Sequence, residues 1–325
     1  MDKFVFSLGI IFVGLAMGYA IQILVRNQII RLPYDLETLR KILQKIALLY
    51  FNPITFTGAV WIVSLDDLKI IALPFIGIAA LLLGGVLAFV FARLLGMSRK
   101  QTGAYIVSGG FTNLGAIGGL ICYTFLGEAG YALVSFYKLF ETFSYYAFGF
   151  PIAKSYSLDA AETESLSKRI RKIFSDPFVL VALGSILVGF ILNLSGIKRP
   201  YFYTSLNAIF VPATTILLLS SIGMAMRFSR AGKYIKEGSL MAIIKFIIVP
   251  VAATTIAYYI GFGKVDQGLP LKVTLILSSM PVGFIAMVPP TIYELDVDLA
   301  NATWLVTNFL LLLIVPLQQH LISLF

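Results

Sequence analysis

The chain has a single cysteine, Cys122, and a single histidine, His320, among its 325 residues. One cysteine excludes an intramolecular disulfide, and one histidine leaves no Cys/His cluster for zinc and no histidine-based nucleophile pair within the chain. Charge is scarce as well: Asp, Glu, Lys and Arg together make up 13% of the residues, against roughly a quarter in a soluble domain. Glu141 is the only carboxylate deep inside an apolar run, so the paired acids of a hydrolytic site are missing. No phosphate-binding G-x-x-x-x-G-K-[ST] loop occurs, which removes direct drive by ATP. No catalytic residue, metal site or cofactor is expected.

What fills the sequence instead is apolar: 59% of the residues are hydrophobic and the mean hydropathy is +0.92. A membrane span needs about 20 such residues, and ten spans are read at approximately 4–25, 41–64, 70–95, 101–125, 129–151, 177–195, 201–226, 238–262, 269–291 and 297–320. Met1-Asp2-Lys3 runs directly into a segment too long for a signal core, so the first span is expected to be retained. The net charge of +9 is concentrated in short loops beside the spans, where topology explains it better than nucleic-acid binding does. Stretches 26–45, 93–100, 154–172 and 227–236 hold most of the lysines and arginines. The opposite side holds only Lys3, Lys69, Lys198, Arg199, Lys264 and Lys272. The positive-inside rule then puts both termini outside the cell membrane and the 154–175 loop in the cytosol.

One span carries its own interruption. Ser108-Gly109-Gly110-Phe111-Thr112-Asn113-Leu114-Gly115-Ala116-Ile117-Gly118-Gly119 holds five glycines, each costing roughly 1 kcal/mol of helix propensity relative to alanine. In a bilayer the freed backbone groups must be satisfied inside the protein or in a water-lined cavity. A second interruption, Met280-Pro281-Val282-Gly283 through Pro289-Pro290, has a similar place in the second half. Paired broken segments in corresponding halves point to a transporter's binding site. Phe51-Asn52-Pro53-Ile54-Thr55 is echoed by Phe210-Val211-Pro212-Ala213-Thr214, which pairs the second and seventh spans. Five spans per half is an odd number, so the second copy must be inverted. The expected fold is an all-α polytopic membrane protein of ten transmembrane helices, in two inverted five-helix repeats at 1–151 and 176–325 joined by a cytosolic linker at 152–175. Helices 4 and 9 are its broken pair.

Other residues carry local expectations. Gly9, Gly14 and Gly18 line a face of the first helix and suit close packing. Asp35 and Asp176 read as N-caps, Asp66-Asp67 as an acidic turn, and Pro53 as a kink. Thr112 and Asn113 place a hydroxyl and an amide at the first break. Lys138 and Glu141, three apart, fall on one helical face; they either serve function or neutralise each other. Lys245 and Arg93 are expected to snorkel to the interface. Asn301 and Asn308, seven apart, either line a cavity or bridge to neighbouring helices. Tyr137, Phe140, Tyr145 and Tyr146 are read as packing or belt aromatics.

Gly109-Gly110-Phe111-Thr112-Asn113-Leu114-Gly115 with Gly118, and Ser279-Met280-Pro281 continuing to Pro289 and Tyr293-Glu294-Leu295, resemble the auxin efflux carrier family. The resemblance covers both halves and extends to the related bile acid:sodium symporters. It implies that helices 4 and 9 cross at the substrate site. It implies a scaffold of helices 1, 2, 6 and 7, and a mobile, elevator-type transport domain of helices 3, 4, 5, 8, 9 and 10. Its substrates are small organic anions, and the short central loop makes this chain similar to prokaryotic members. Carried onto this sequence, the resemblance matches Thr112 and Asn113 to the polar pair of the first crossover and Pro281 with Pro289 to the second, and Gly115 and Val282 beside them complete the expected substrate-binding residues of the two breaks. To these the residue-level reading adds Lys138 and Asn308, with Lys138 and Glu141 as charge compensators. Leu120 stands where the family has a proline after the first break. Leu275 to Pro290 lacks the carboxylate that helps hold sodium in the symporters, which disfavours sodium coupling.

The expected function is a secondary transporter (permease) of a mono- or dicarboxylate by alternating access. A sodium-coupled symporter is the nearest alternative, and an intramembrane enzyme or a receptor is the alternative from another class. The expected partners are the anion and the lipid bilayer, with a homodimer left open and no nucleic acid. The topology is directly testable. Single cysteines placed in the 154–175 loop of a Cys122-free background should resist membrane-impermeant thiol reagents in sealed cells, and labelling from outside would reverse the orientation.

Overall fold

The computed structural model describes residues 3–63, 67–157, 174–226 and 231–324, with Ser167, Ile170 and Arg171 between the second and third stretches. Asp66, most of the 154–175 loop, and the basic residues Arg227 and Arg230 lie outside the described residues. Apart from one isolated antiparallel bridge, every regular element among the described residues is helical. In chain order these are α1 (Lys3–Arg26) and α2, the continuous run of Leu36–Ile46, Ala47–Phe51 and Asn52–Val60. Next come α3 (Leu68–Ala72 and Leu73–Leu94), α4 (Arg99–Gly110) and α5 (Leu114–Gly118 and Gly119–Tyr137). α6 joins Glu141–Ser144, Tyr145–Gly149 and Phe150–Ser155. α7 (Pro177–Leu194) and α8 (Phe202–Gly223) follow. α9 runs through Ala231–Tyr234, Ile235–Ile243, Ile244–Ile248 and Val249–Ile260. After two short 3-10 turns, Phe262–Lys264 and Asp266–Gly268, α10 (Leu269–Ser278), α11 (Phe284–Met287 and Val288–Ile292), α12 (Val297–Phe309) and α13 (Leu311–Ile322) complete the described elements.

Six of these runs are long and apolar enough to cross a membrane, or seven if α12 and α13, bent by 47° to each other, count as one. The chain is a multi-pass membrane protein. The remaining expected spans fail this test of uninterrupted apolar length for visible reasons. Stretches 101–125 and 269–291 are each cut by a non-helical segment. The first three turns of α2 carry Glu37, Arg40, Lys41 and Lys45. Conversely, the 42-residue run Leu114–Ser155 is not one rod, because Gly127 takes φ 71° and ψ −164° within α5. Only glycine adopts that backbone readily.

The chain divides into two compact units, each drawing on both halves of the sequence. The first comprises Met1–Ser64, Gly115–Ser135 and Asp176–Met226. In it α1 lies against α8 so closely that a Cβ on Gly18 would collide with the Ser220 carbonyl, and one on Gly223 with that of Leu15. Ser220 Oγ donates to the Gly14 carbonyl at 3.1 Å. Small residues that let backbones approach are what holds helices together in lipid, where no hydrophobic force separates them from the acyl chains. Gly9, expected on the same seam, meets nothing within 4 Å; the contact face begins one turn later. At the far end of α2, Asn193 Nδ2 of α7 lies 2.8–3.1 Å from the carbonyls of Val60, Trp61 and Val63, and its two protons serve orphan acceptors at the α2 terminus. Phe51 and Phe210, the first residues of the two Phe-x-Pro-x-Thr motifs, stack face to face with centroids 4.6 Å apart.

Pro53 does not produce a simple kink. The π-helical turn Ala47–Phe51 precedes it and the helix continues with αR geometry through Asn52. The wider turn removes the clash between the proline ring and the carbonyl four residues back.

The second unit comprises Leu65–Leu114, Phe136–Ser175 and Arg227–Phe325. Gly84 of α3 and Gly109 of α4 face each other, and a Cβ on either would strike the other's carbonyl. Ser108 Oγ of α4 lies 3.0 Å from Thr303 Oγ1 of α12. Lys138 and Glu141 do not lie on one continuous helix, since α5 ends at Tyr137 and the Glu141 N–H bonds the Lys138 carbonyl across a turn.

Within the first unit Arg199 forms a buried ion pair with Glu128 and donates to the Gly58 carbonyl and Thr204 Oγ1. Removing one partner of such a pair leaves an uncompensated buried charge. Glu128→Ala should therefore cost about 3–5 kcal/mol, read as a lowered unfolding midpoint in detergent. Glu128→Ala with Arg199→Met should recover most of the loss; no recovery would show that the two residues act separately.

Candidate functional site

Two interrupted helices meet in the second unit. α4 ends at Gly110 and Phe111 is extended (φ −101°, ψ 120°); α10 ends at Ser278 and the chain stays non-helical until Phe284. Thr112 and Val282 form the antiparallel bridge. The Asn113 N–H donates to the Pro281 carbonyl and the Gly283 N–H to the Phe111 carbonyl, both at 3.0 Å. Gly283 passes tightly against the first break: a Cβ there would sit 3.0 Å from the Thr112 carbonyl, so a side chain would push the two segments apart by a few tenths of an ångström. Each break thus supplies the partners that the other lacks.

Side chains then close on this bridge. The Val282 N–H donates to Thr307 Oγ1 at 3.2 Å, and Asn308 Nδ2 donates to the Val282 carbonyl at 3.3 Å and to the Trp304 carbonyl at 2.8 Å. Asn308 is an interhelical bridge in this arrangement, yet its Oδ1 is buried without a partner. Thr112 is held from two more directions. Its N–H donates to the Tyr145 hydroxyl at 3.2 Å, and that hydroxyl lies 2.9 Å from Glu141 Oε1 and 3.2 Å from the Thr112 carbonyl. One hydroxyl proton serves one acceptor, and the shorter, charge-assisted bond to Glu141 is the stronger. Glu141 Oε2 pairs with Lys138 Nζ at 3.8 Å. Lys245 Nζ donates to Thr112 Oγ1 at 2.7 Å and reaches the Phe111 carbonyl at 3.5 Å.

Lys245 overturns the expectation of snorkelling: it is 2% exposed. The helical run containing it is Gly232–Ile260, starting earlier than the expected 238, so position 245 falls at its middle. From there the side chain cannot reach either interface. Arg93, near the C-terminal end of α3, stays exposed and lies over the Phe89 ring at 5.2 Å. Tyr145 is a hydrogen-bonded member of the site, beyond its packing role, and its ring lies 4.0 Å from that of Phe111.

Of the residues expected at the site, Thr112, Asn113, Pro281, Val282 and Asn308 are brought together. Glu141 joins them through Tyr145, and Lys138 through Glu141. Gly115 lies in the π-helical turn Leu114–Gly118 after the break, and Pro289 lies farther on, in the helical turn Val288–Ile292. Asn301 is buried on α12. The signal in the sequence for Lys245 and Tyr145 is a proline a few residues later, Pro250 and Pro151. Each proline follows a π-helical turn, Ile244–Ile248 or Tyr145–Gly149, that holds the polar residue.

Beside the site, α3, α4 and α6 line an open-sided pocket of about 260 Å³ whose walls include Leu81, Phe89, Ile106, Phe111 and Tyr145. Its lining is almost wholly apolar, with the Tyr145 side chain as its link to the bridge.

No family model matches the chain. An uncharacterized transporter of Methanothermobacter thermautotrophicus is 26% identical over 254 residues, covering 78% of each chain. An uncharacterized transporter of Methanocaldococcus jannaschii is 27% identical over 253 residues, covering 77% of this chain and 79% of the relative. The similarity to proteins named as transporters therefore runs over most of the length, in a chain whose helices are those of a multi-pass membrane protein.

Proposed function

We propose that the protein is a secondary transporter of small organic anions, with its substrate site where the two interrupted helices meet. The observation that carries this reading is the backbone bridge between Thr112 and Val282, deep within an apolar chain. Non-helical backbone at membrane depth is tolerated only where it is enclosed by protein or lines a cavity, and paired breaks of this kind serve transporters as binding sites. The transporter names of the two relatives support the same reading.

The ten-span inverted repeat belongs to this proposal. Its passes are α1, α2, α3, α4 with α5 up to Gly127, the remainder of α5 with α6, α7, α8, α9, α10 with α11, and α12 with α13. Two residues that correspond under an inverted repeat lie close together when they flank the pseudo-twofold axis. The Phe51–Phe210 stack supports such an axis in the first unit, and the Thr112–Val282 bridge supports one in the second. The resemblance to auxin efflux carriers assigns the moving role to the unit that contains both breaks, as an elevator-type carrier. The repeats at 1–151 and 176–325 with the 152–175 linker follow from the same reading.

The purified protein in proteoliposomes should take up at least one member of a panel of mono- and dicarboxylates under an imposed proton, sodium or voltage gradient. Folded protein that moves none of them would remove the reading. Asn113→Ala should lower uptake by about tenfold or more, a loss of roughly 1.4 kcal/mol or greater, with the amount of folded protein changed less than about twofold. A parallel loss of both would make Asn113 a structural bridge only.

A further inference from the structure

Lys138 and Lys245 both lie close to the site, and they are not equivalent. Lys138 has Glu141 as a counter-charge at 3.8 Å. Among the described residues no carboxylate pairs with Lys245; its ammonium is bonded to the Thr112 hydroxyl at 2.7 Å and, at the long distance of 3.5 Å, to the Phe111 carbonyl. An ammonium has three donors and no acceptor, so in its protonated form Lys245 has at least one donor unused and no counter-charge, and an arriving carboxylate would supply both the acceptor and the charge. A buried unpaired charge is strongly unfavourable. The carbonyl end of α4 offsets part of that cost by its dipole and fixes the ammonium against the bridge.

We infer that Lys245 anchors the substrate's carboxylate at the bridge, and that the substrate is a monoanion. This rests on the anion-carrier reading above. The charge count sets the substrate class. Lys138 and Glu141 sum to zero, which leaves Lys245 as a single positive charge on the bridge, and one carboxylate brings the assembly to neutrality. A dicarboxylate would bury one negative charge without a partner. Asn308 argues the same way: its Nδ2 is bonded to the bridge at the Val282 carbonyl, and the atom it leaves buried without a partner is Oδ1, an acceptor. An acceptor repels a second carboxylate and suits a hydroxyl or an N–H group.

The test compares propionate and lactate with malonate, all of three carbons, at neutral pH, where malonate already carries two charges. Binding is read by thermal shift in detergent and by competition for uptake in proteoliposomes. The wild-type protein should bind one of the monocarboxylates at least about tenfold more tightly than malonate. Lys245→Met should weaken that binding by about thirtyfold or more, as for loss of one partner of a buried charge pair. Lys245→Arg, which keeps the charge, should preserve the order of monoanion over dianion. Wild-type preference for malonate would overturn the substrate class. Monocarboxylate binding within about threefold of wild type in Lys245→Met would show that the lysine only caps α4. Should Lys245→Met not fold, the wild-type ratio and Lys245→Arg decide the matter. Wild-type protein that binds none of the three and moves no other member of the wider panel would sink the anion-carrier reading itself, and the role of Lys245 with it.

Discussion

The second unit depends on the mutual satisfaction of two interrupted backbones. A break in a membrane helix exposes N–H and C=O groups, and in hydrocarbon each unsatisfied group costs several kcal/mol. The Phe111–Asn113 segment alone would be untenable, and so would Pro281–Gly283. Together they exchange two hydrogen bonds of 3.0 Å, and Thr307 and Asn308 satisfy the N–H and C=O of Val282. The glycines around the breaks follow from this geometry. Gly84 and Gly109 let α3 touch α4 backbone to backbone, and Gly283 lets the two extended segments pass within bonding distance. An element held this way is either formed as a whole or absent, because no half of it is stable.

The polar side chains at the bridge are consequences of the same constraint. Tyr145, Lys245, Thr307 and Asn308 all bond to backbone or hydroxyl groups of Thr112 or Val282. Each interhelical hydrogen bond in a membrane contributes about 0.6–2 kcal/mol, so none alone determines the fold. Their shared aim at two residues is what marks the place. Glu141 extends the network outward to Lys138, and the pair is neutral as a unit.

Local chemistry was readable from the chain. The breaks were legible in Gly109-Gly110 and Met280-Pro281 because helix propensity is a short-range property. The caps were legible for the same reason: Asp35 accepts from the Thr38 N–H at 2.7 Å and Asp176 from that of Phe178 at 2.8 Å. Gly14 and Gly18 could be read as a packing face, while Gly9 could not be separated from them, since periodicity does not say where a neighbouring helix begins. Lys245 was misjudged because two non-local facts decide its role, the start of its helix at the Gly232 end and its meeting with a hydroxyl 133 residues away. The Lys138–Glu141 pairing was read correctly, but on a continuous helix. The turn at positions 138–140 comes without a glycine or proline to announce it.

A less obvious regularity connects the prolines to the chemistry. Pro53, Pro151 and Pro250 are each the second residue of the α-helical segment that follows a π-helical turn: Ala47–Phe51, Tyr145–Gly149 and Ile244–Ile248. The carbonyl four residues before each proline, at Leu49, Ala147 or Phe246, is the one that its ring would strike and that finds no N–H there. A π turn shifts the register by one residue and absorbs both problems without ending the helix. It also rotates the side chains before it relative to those after it. Two of the three turns contain the residues that bond Thr112, Tyr145 and Lys245. The third lies in α2, ahead of Thr55, whose hydroxyl is 3.1 Å from the Tyr131 hydroxyl in the first unit. Glycine opens the backbone at the breaks, and proline, through the π turn, re-aims intact helices, so that a chain with few polar residues directs two of them at one buried threonine.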